Sequence, residues 1–387
     1  MVSFSILARD GAARAGVFRA GRGSTVDTPA FMPVGTQGTV KGVDTGDLIA
    51  AGSRIVLANT YHLLLRPGPE AIARAGGLAR WAGFRNLATL TDSGGFQVMS
   101  LGHLRAIDED GVTFRSHLDG ATVRLTPEDA VRVQEAIGAD IIMAFDECPR
   151  WPPESREALA GSVERTGRWL ARCAAARTRA DQSLFGIVQG GVDDGLRLRS
   201  LELTLGVDLP GYAIGGLAVG EDKDEMYRTL VLVAPRLPAD RPRYLMGVGT
   251  PEDAILAILA GADLFDCVLP TRTARFGTAL TLTGRVNLRH AAARLDTGPL
   301  DPSCPCPACR DYSRGFLAHA FRAREMLAPR LVSIHNLTTM HRVIARMREG
   351  IRERRAGPVA RELLGALHSD RLPEWVARVL DRVGEAA

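Results

Sequence analysis

Short apolar runs alternate with longer stretches of helical period along the whole chain. "RIVLANT" (54–60), "LATLTD" (87–92), "ADIIMAFDEC" (139–148), "LFGIVQGG" (184–191), "GYAIGGLA" (211–218), "PRYLMGV" (242–248) and "ADLFDCVLP" (262–270) read as strands, with "PAFMPVG" (29–35) as a further one. Runs that are apolar almost throughout suit parallel strands covered on both faces. Between them "TPEDAVRVQEAIG" (126–138), "SREALAGSVERTGRWLARCAAART" (155–178) and "TPEDAILAILAG" (250–261) read as helices. Two of these open Thr-Pro-Glu-Asp, which puts a hydroxyl at the N-cap, proline at the first position and acids in the first turn. About eight strand–helix units in sequence predict an α/β fold, a (β/α)8 TIM barrel, with a doubly wound open sheet as the rival arrangement.

The polar residues sit where the apolar runs stop. Asn59 with Thr60, Asp92, Asp146 with Glu147, Gln189, Gly215–Gly216, Met246–Gly247 and Asp266 each end a candidate strand. In a barrel these positions converge on one face, the face on which active sites are built. One Asp at a strand end reads as a loop cap. Three Asp, a Gln and several glycine pairs in the same register read as a site. The glycines of "SGGFQ", "VQGG", "IGGLAVG" and "MGVGT" leave backbone amides open to a ligand. A flat, hydrogen-bonding ligand such as a nucleobase fits that description. A phosphate cradle is the alternative, but the chain has no G-x-x-x-x-G-K-[ST] and no clean G-x-G-x-x-G.

Length and composition narrow the picture further. The 387 residues suffice for one large domain with an appendage, or for two domains. Hydrophobic content of 46% and charged content of 24% are those of a soluble globular protein. The opening "MVSFSILARDGAARAG" lacks the basic start and apolar core of a signal peptide, and no apolar run approaches the roughly 18 residues of a membrane span. A cytoplasmic protein without a membrane partner is expected. The formal charge of +4 is unevenly spread: from Cys267 onward there are 20 Arg, no Lys and 11 acidic residues, about +9, which leaves about −5 for residues 1–266. A basic C-terminal third points to a polyanionic partner. Lys is almost absent from the chain, so a compositional preference for Arg would give the same balance.

Cys148, Cys173 and Cys267 are isolated, whereas Cys304, Cys306 and Cys309 lie within six residues and His335 follows. In a cytoplasmic protein such clusters bind metal rather than form disulfides. Three thiolates and an imidazole make a closed tetrahedral set, the pattern of a structural Zn2+ site, one per subunit. His319 competes for the fourth place but falls mid-helix in "RGFLAHAF". The expected division is a main barrel over 1–290, a zinc-binding subdomain over 291–345, and C-terminal helices over 346–387 that close on the barrel.

The motifs "TDSGGFQVMSL", "FDEC", "GIVQGG", "YAIGGLAVGE", "YLMGVGTPED" and "FDCVLPTRTARFG", with the Cys304/Cys306/Cys309/His335 set, resemble the tRNA-guanine transglycosylases, the bacterial-type queuine tRNA-ribosyltransferase family. The resemblance runs from about residue 5 to 370. It implies a zinc-bearing barrel that replaces guanine at the wobble position of certain tRNA anticodons with a 7-deazaguanine. On this resemblance Asp266 is the nucleophile and Asp92 the general acid/base. Asp146, Gln189, Gly216, Leu217, Met246 and Gly247 form the base pocket, with Ser93 and Phe96. Arg272 and Arg275 hold the anticodon loop. A carboxylate at a glycosidic carbon stabilises oxocarbenium character and then bonds to it, and two displacements preserve the configuration.

The chain departs from the familiar bacterial "PTRNARNG" at Thr273 and Phe276, a stretch closer to the eukaryotic catalytic subunit. Val219, where eukaryotic members carry Gly, narrows the pocket beside the 7-substituent and favours 7-aminomethyl-7-deazaguanine over queuine. A queuine-inserting enzyme and a non-catalytic tRNA-binding subunit are the alternatives; the retention of all three acids speaks against the latter. The family also implies a homodimer formed near the zinc subdomain, with Tyr312, Phe316 and His319 in the right stretch; ordinary subdomain packing is the alternative there.

Overall fold

The computed structural model describes residues 2–97 and 105–385. Val98 to Leu101, the end of the "TDSGGFQVMSL" motif, lie outside the described residues. Eight parallel strands, Ala30–Pro33, Ile55–Ala58, Ala88–Thr91, Ile141–Met143, Ser183–Val188, Tyr212–Ile214, Arg243–Leu245 and Leu264–Cys267, pair in a single order around a barrel. The first and second are joined by a parallel bridge between Val34 and Leu57, and Gly35 N–H donates to the Leu57 carbonyl at 2.6 Å. The eight-stranded (β/α)8 arrangement is therefore the one the strand count predicts, and the open sheet is excluded.

Alternate residues of each strand fall into two separate apolar clusters. Met32, Ile55, Leu57, Ala88, Leu90, Ile141, Met143, Phe185, Ile187, Ala213, Tyr244 and Leu264 fill the barrel. Phe31, Val56, Ile142, Leu184, Val188, Ile214, Leu245 and Phe265 face the surrounding helices. This two-sided burial is why the runs look uniformly apolar rather than alternating. The predicted helices form at Pro127–Ile137, Arg156–Ala176 and Pro251–Leu259. Thr126 and Thr250 are their N-caps as expected, each accepting from the amide three residues on.

An antiparallel sheet that the apolar pattern does not announce, Ser3–Asp10, Ala13–Arg19 and Thr25–Thr28, closes the barrel floor. Phe18 and Val26 join the barrel's interior cluster. Two acids at strand beginnings are paired by arginines from this region: Asp140 with Arg22 and Asp263 with Arg14.

The chain after the eighth strand enters helix Leu269–Arg275 and hairpin Thr278–Thr281/Gly284–Asn287. The 26-residue helix Leu327–Arg352 packs on both and on the first barrel strand. It runs unbroken through the expected 345/346 division, with His335 in its first half. Helices Ala356–Leu367 and Glu374–Glu385 then pack against helix Pro251–Leu259. No helix among the described residues is long and apolar enough to cross a membrane.

Candidate active site and metal cluster

Strand periodicity aims the site. Side chains two residues beyond an inward-facing core residue also face inward. Leu57, Leu90, Ile187, Tyr244 and Leu264 are barrel-interior residues. Asn59, Asp92, Gln189, Met246 and Asp266 follow each of them by two and line one cavity of about 430 Å³ at the carboxyl ends of the strands. Ser93, Phe96, Asp146, Gly216, Leu217, Gly247 and Arg272 line the same cavity. Of the residues expected in the site, Arg275 does not line it; it is half-buried on the neighbouring helix. Glu147 points away and pairs with Arg165.

The three acids are held differently. Asp266 takes both of its hydrogen bonds on Oδ1, from the Tyr244 hydroxyl at 2.6 Å and the Gly247 amide at 2.9 Å. Burial raises its pKa, while those two donors oppose the rise. Asp92 accepts from Asn59 on Oδ2 and from the Thr60 amide at 2.8 Å and the Gly94 amide at 3.2 Å on Oδ1. Burial nevertheless lifts it from 3.8 to about 6; hydrogen bonds from Asn59, Thr60 and Gln97 pull it down and the charge of Asp266 pushes it up. Asp146 accepts from the Ser93 hydroxyl at 2.8 Å and from Gln189 Nε2 at 2.6 Å, and burial raises it too. Among the described residues, none of the three has an arginine or lysine within salt-bridge distance, unlike Asp140 and Asp263 at the other end of the same strands.

Glycine is required where the walls approach these acids. A Cβ on Gly95 would stand 2.6 Å from the Asp146 carbonyl oxygen. A Cβ on Gly216, whose φ is +61°, would stand 2.3 Å from Gln189 Oε1.

Two positioning residues escaped the sequence reading. Tyr244 lies inside the barrel, two residues before Met246, and its role is visible only through Asp266. Arg197 sits in a helix as one arginine of "DGLRLRSLELTL", yet it is fully buried. Its guanidinium donates to the carbonyls of Val188 (2.9 Å), Gly191 (2.6 Å), Gly215 (2.8 Å) and Gly216 (3.1 Å), tying the Gln189 loop to the Gly216 loop. Burial lowers its pKa to about 10. Further along, the Glu221 carboxylate accepts from the amides of Ala218, Val219 (3.0 Å) and Gly220 (3.1 Å), shaping the wall that carries Leu217 and Val219.

The second cluster is that of Cys304, Cys306, Cys309 and His335. All four are buried, with ligand atoms within 4.8 Å of one another, a donor set that could hold a metal ion. His335 Nδ1 faces Cys309 Sγ at 3.2 Å and Cys306 Sγ at 3.5 Å. Its Nε2 meets the Leu280 carbonyl at 2.8 Å, so Nε2 carries the proton and Nδ1 presents its lone pair. His319 is exposed and outside the cluster. The neighbouring Asn336 accepts from Leu280 N–H at 2.7 Å and donates to the carbonyls of Pro270 (2.9 Å) and Thr278 (3.0 Å). The cluster is thus coupled through one helix to the segment directly after Asp266.

Residues 10–369 match the family model described as "Queuine tRNA-ribosyltransferase". The chain is 54% identical over 379 residues to a Deinococcus radiodurans protein of that name, covering 98% of this chain and 95% of the relative. It is 55% identical over 377 residues to a Thermus thermophilus protein of the same name, covering 97% of each. A Gloeobacter violaceus relative, again so named, is 55% identical over 353 residues, covering 89% of this chain and 92% of its own.

Proposed function

The chain belongs to the queuine tRNA-ribosyltransferase family, and from that premise we propose that it exchanges the wobble-position guanine of GUN-anticodon tRNAs (Asp, Asn, His, Tyr) for 7-aminomethyl-7-deazaguanine through a covalent aspartyl–ribosyl intermediate, a step of queuosine synthesis. The observation that carries this reading is the unequal setting of Asp266 and Asp92 in one cavity. Asp266 has one oxygen fixed by Tyr244 and Gly247. The other is the atom assigned to attack on the anomeric carbon. Asp92, lifted to about 6, is poised to protonate the departing purine and then to take a proton from the incoming one. The bond from ribose to guanine breaks as the bond to Asp266 forms; the incoming base reverses this, with retention of configuration.

Asp146 and Gln189 suit the other edge of the purine. The Asp146 oxygens match an N1–H and exocyclic-amine donor pair, and Gln189 with the Leu217 backbone matches the O6 side. A base without that donor pair leaves a buried carboxylate poorly matched, which disfavours it. Val219, in the cavity wall, supports the smaller aminomethyl base over queuine. Zinc is the metal assigned to the Cys304/Cys306/Cys309/His335 set on the grounds of its three thiolates and one oriented imidazole; when bound, it staples this region to helix Leu327–Arg352. The anticodon loop is the proposed RNA partner, with Arg272 and Arg275 beside the cavity, and the cytoplasm is the proposed site of action. A homodimer accords with the stacked Tyr312–Phe316 pair, with Phe316 41% exposed.

The test is to incubate enzyme with a GUN anticodon stem-loop and resolve adducts on a denaturing gel. The wild type gives a band that guanine or the 7-deazaguanine releases. Asp266→Ala gives neither band nor exchange; turnover by that variant would remove Asp266 as nucleophile.

A further inference from the structure

Of the two departures from "PTRNARNG", one turns inward and the other outward. The Thr273 hydroxyl donates to the Leu269 carbonyl at 2.9 Å and faces Asn336, so it belongs to the packing of the helix. Phe276 caps the same helix and is 62% exposed. Folding gains little from a phenylalanine left in water. Its surroundings are basic. Arg272, one helical turn earlier, lines the catalytic cavity and is exposed. Arg275 adjoins it, and the charge of Arg272 joins burial in lowering the Arg275 pKa. Arg289 folds back across Gly277 and donates to the Phe276 carbonyl at 2.9 Å. Among the described residues, no carboxylate lies within salt-bridge distance of Arg272, Arg275 or Arg289. In the same third of the chain Arg285, Arg314, Arg342 and Arg346 each have one and Arg330 has two.

An exposed ring among unpaired guanidiniums is the arrangement by which proteins hold single-stranded nucleic acid: bases stack on the ring while cations meet phosphates. Four residues of helix separate Phe276 from Arg272, about 6 Å along the axis. We propose that Phe276 is a stacking platform for an unpaired RNA base next to the nucleotide undergoing exchange, with Arg275 and Arg289 on the flanking phosphates. This rests on the reading above that the substrate is an anticodon loop and adds a residue that fixes its neighbouring base.

The test measures binding of a fluorescein-labelled anticodon stem-loop to wild type, Phe276→Ser, Phe276→Trp and Arg289→Ala, across a salt series. Phe276→Ser is expected to weaken binding about 5- to 150-fold, with the slope of log K against log salt unchanged. Phe276→Trp retains or tightens binding. Arg289→Ala reduces the slope by about 1. The loss in Phe276→Ser falls on KM for RNA and not on KM for guanine. Wild-type affinity in Phe276→Ser, or a loss as large in Phe276→Trp, overturns the platform. So does a change in molar mass by light scattering in Phe276→Ser, which would mean that the ring meets a second copy of the chain. Failure of the wild type to bind or modify the stem-loop sinks the functional reading itself, a separate outcome.

Discussion

Removing the amide of Asn59 should shift the pH dependence of catalysis by a calculable amount. Asp92 stands at about 6 because burial pushes it up while Asn59, Thr60 and Gln97 hold it down. A hydrogen bond to a charged acceptor contributes about 1.5–3 kcal/mol. At about 1.36 kcal/mol per pKa unit, losing the Asn59 donor moves Asp92 by about 1–2 units, to about 7–8. Asn59→Leu makes that change while keeping the branching at Cγ, two methyls standing in for the carboxamide. If protonated Asp92 releases guanine, adduct formation declines on the alkaline side with the titration of this group. At pH 7.5 the protonated share rises from about 3% in the wild type to about half at a pKa of 7.5. The acid is then weaker, so the rate gains less than the population does. The acid-side limb, where Asp266 must be ionised, moves only through its coupling to Asp92. Single-turnover adduct formation on a stem-loop, followed from pH 5 to 9 in both proteins with parallel melting curves, checks this. A folded Asn59→Leu protein whose alkaline limb stays put, or moves down, would refute the assignment of Asp92 as the acid.

Asp92→Asn should flatten the pH dependence of stability. The folded carboxyl titrates at about 6 against 3.8, so folding favours its protonated form: stability from this group is full below about pH 4 and falls by up to ~3 kcal/mol as pH rises to about 6. The gap between melts at pH 4 and pH 7.5 therefore narrows in the variant; an unchanged gap contradicts the shift. Arg197→Met is close in size but removes a donor from four carbonyls, of which that of Val188 keeps the Gly215 amide, at about 1–3 kcal/mol for each that stays unsatisfied. Guanine KM should rise at least about tenfold while stem-loop affinity holds, read by steady-state exchange and fluorescence anisotropy. Cys306→Ala should lose its metal, measured by atomic emission, and several kcal/mol of stability in melts. Stem-loop affinity should fall with it, because helix Leu327–Arg352 holds the 270–280 segment through His335 and Asn336.

The eight barrel strands were legible because burial on both faces writes an uninterrupted apolar run. Their ends were less so. The run 139–148 contains a strand only over Ile141–Met143, and 262–270 already includes the start of helix Leu269–Arg275. Apolar character persists past the sheet because Phe145 is buried against Trp169 of helix Arg156–Ala176 and Leu217 is buried in the cavity wall. Asp92, Gln189 and Asp266 could be read as cavity residues because strand parity and the barrel's closure aim them together; Asp146, three residues beyond the inward-facing Met143, reaches the cavity past the end of its strand. Arg197 could not be, since a buried arginine satisfied by carbonyls has no local signature, and the helix that bears it has no strong apolar face. The floor sheet escaped for a related reason. Its strand Ser3–Asp10 alternates exposed with half-buried positions, and only its tertiary partners turn it into a lid on the barrel.

Two strands carry the logic of the molecule within single motifs. "ADIIMAFDEC" begins with Asp140 and reaches Asp146; "ADLFDCVLP" begins with Asp263 and reaches Asp266. Both leading acids lie at the barrel floor and are neutralised by arginines, Arg22 and Arg14. Both trailing acids lie at the mouth, Asp146 buried and Asp266 half-buried, with only neutral donors. A carboxylate paired with a guanidinium is committed to structure, because its charge is already answered. One held by a hydroxyl, an amide or a carboxamide keeps a field that a cationic transition state or a donor-bearing base can answer instead. The neutral donors also divide the labour. Asp266 is gripped on one oxygen and left with another to react. Asp146 has a donor on each oxygen that a ligand's N–H groups can replace. Asp92 is gripped on both, so what remains available to it is its proton. On the proposed assignments the same residue type takes three chemistries from its neighbours: nucleophile at Asp266, base recognition at Asp146 and proton transfer at Asp92.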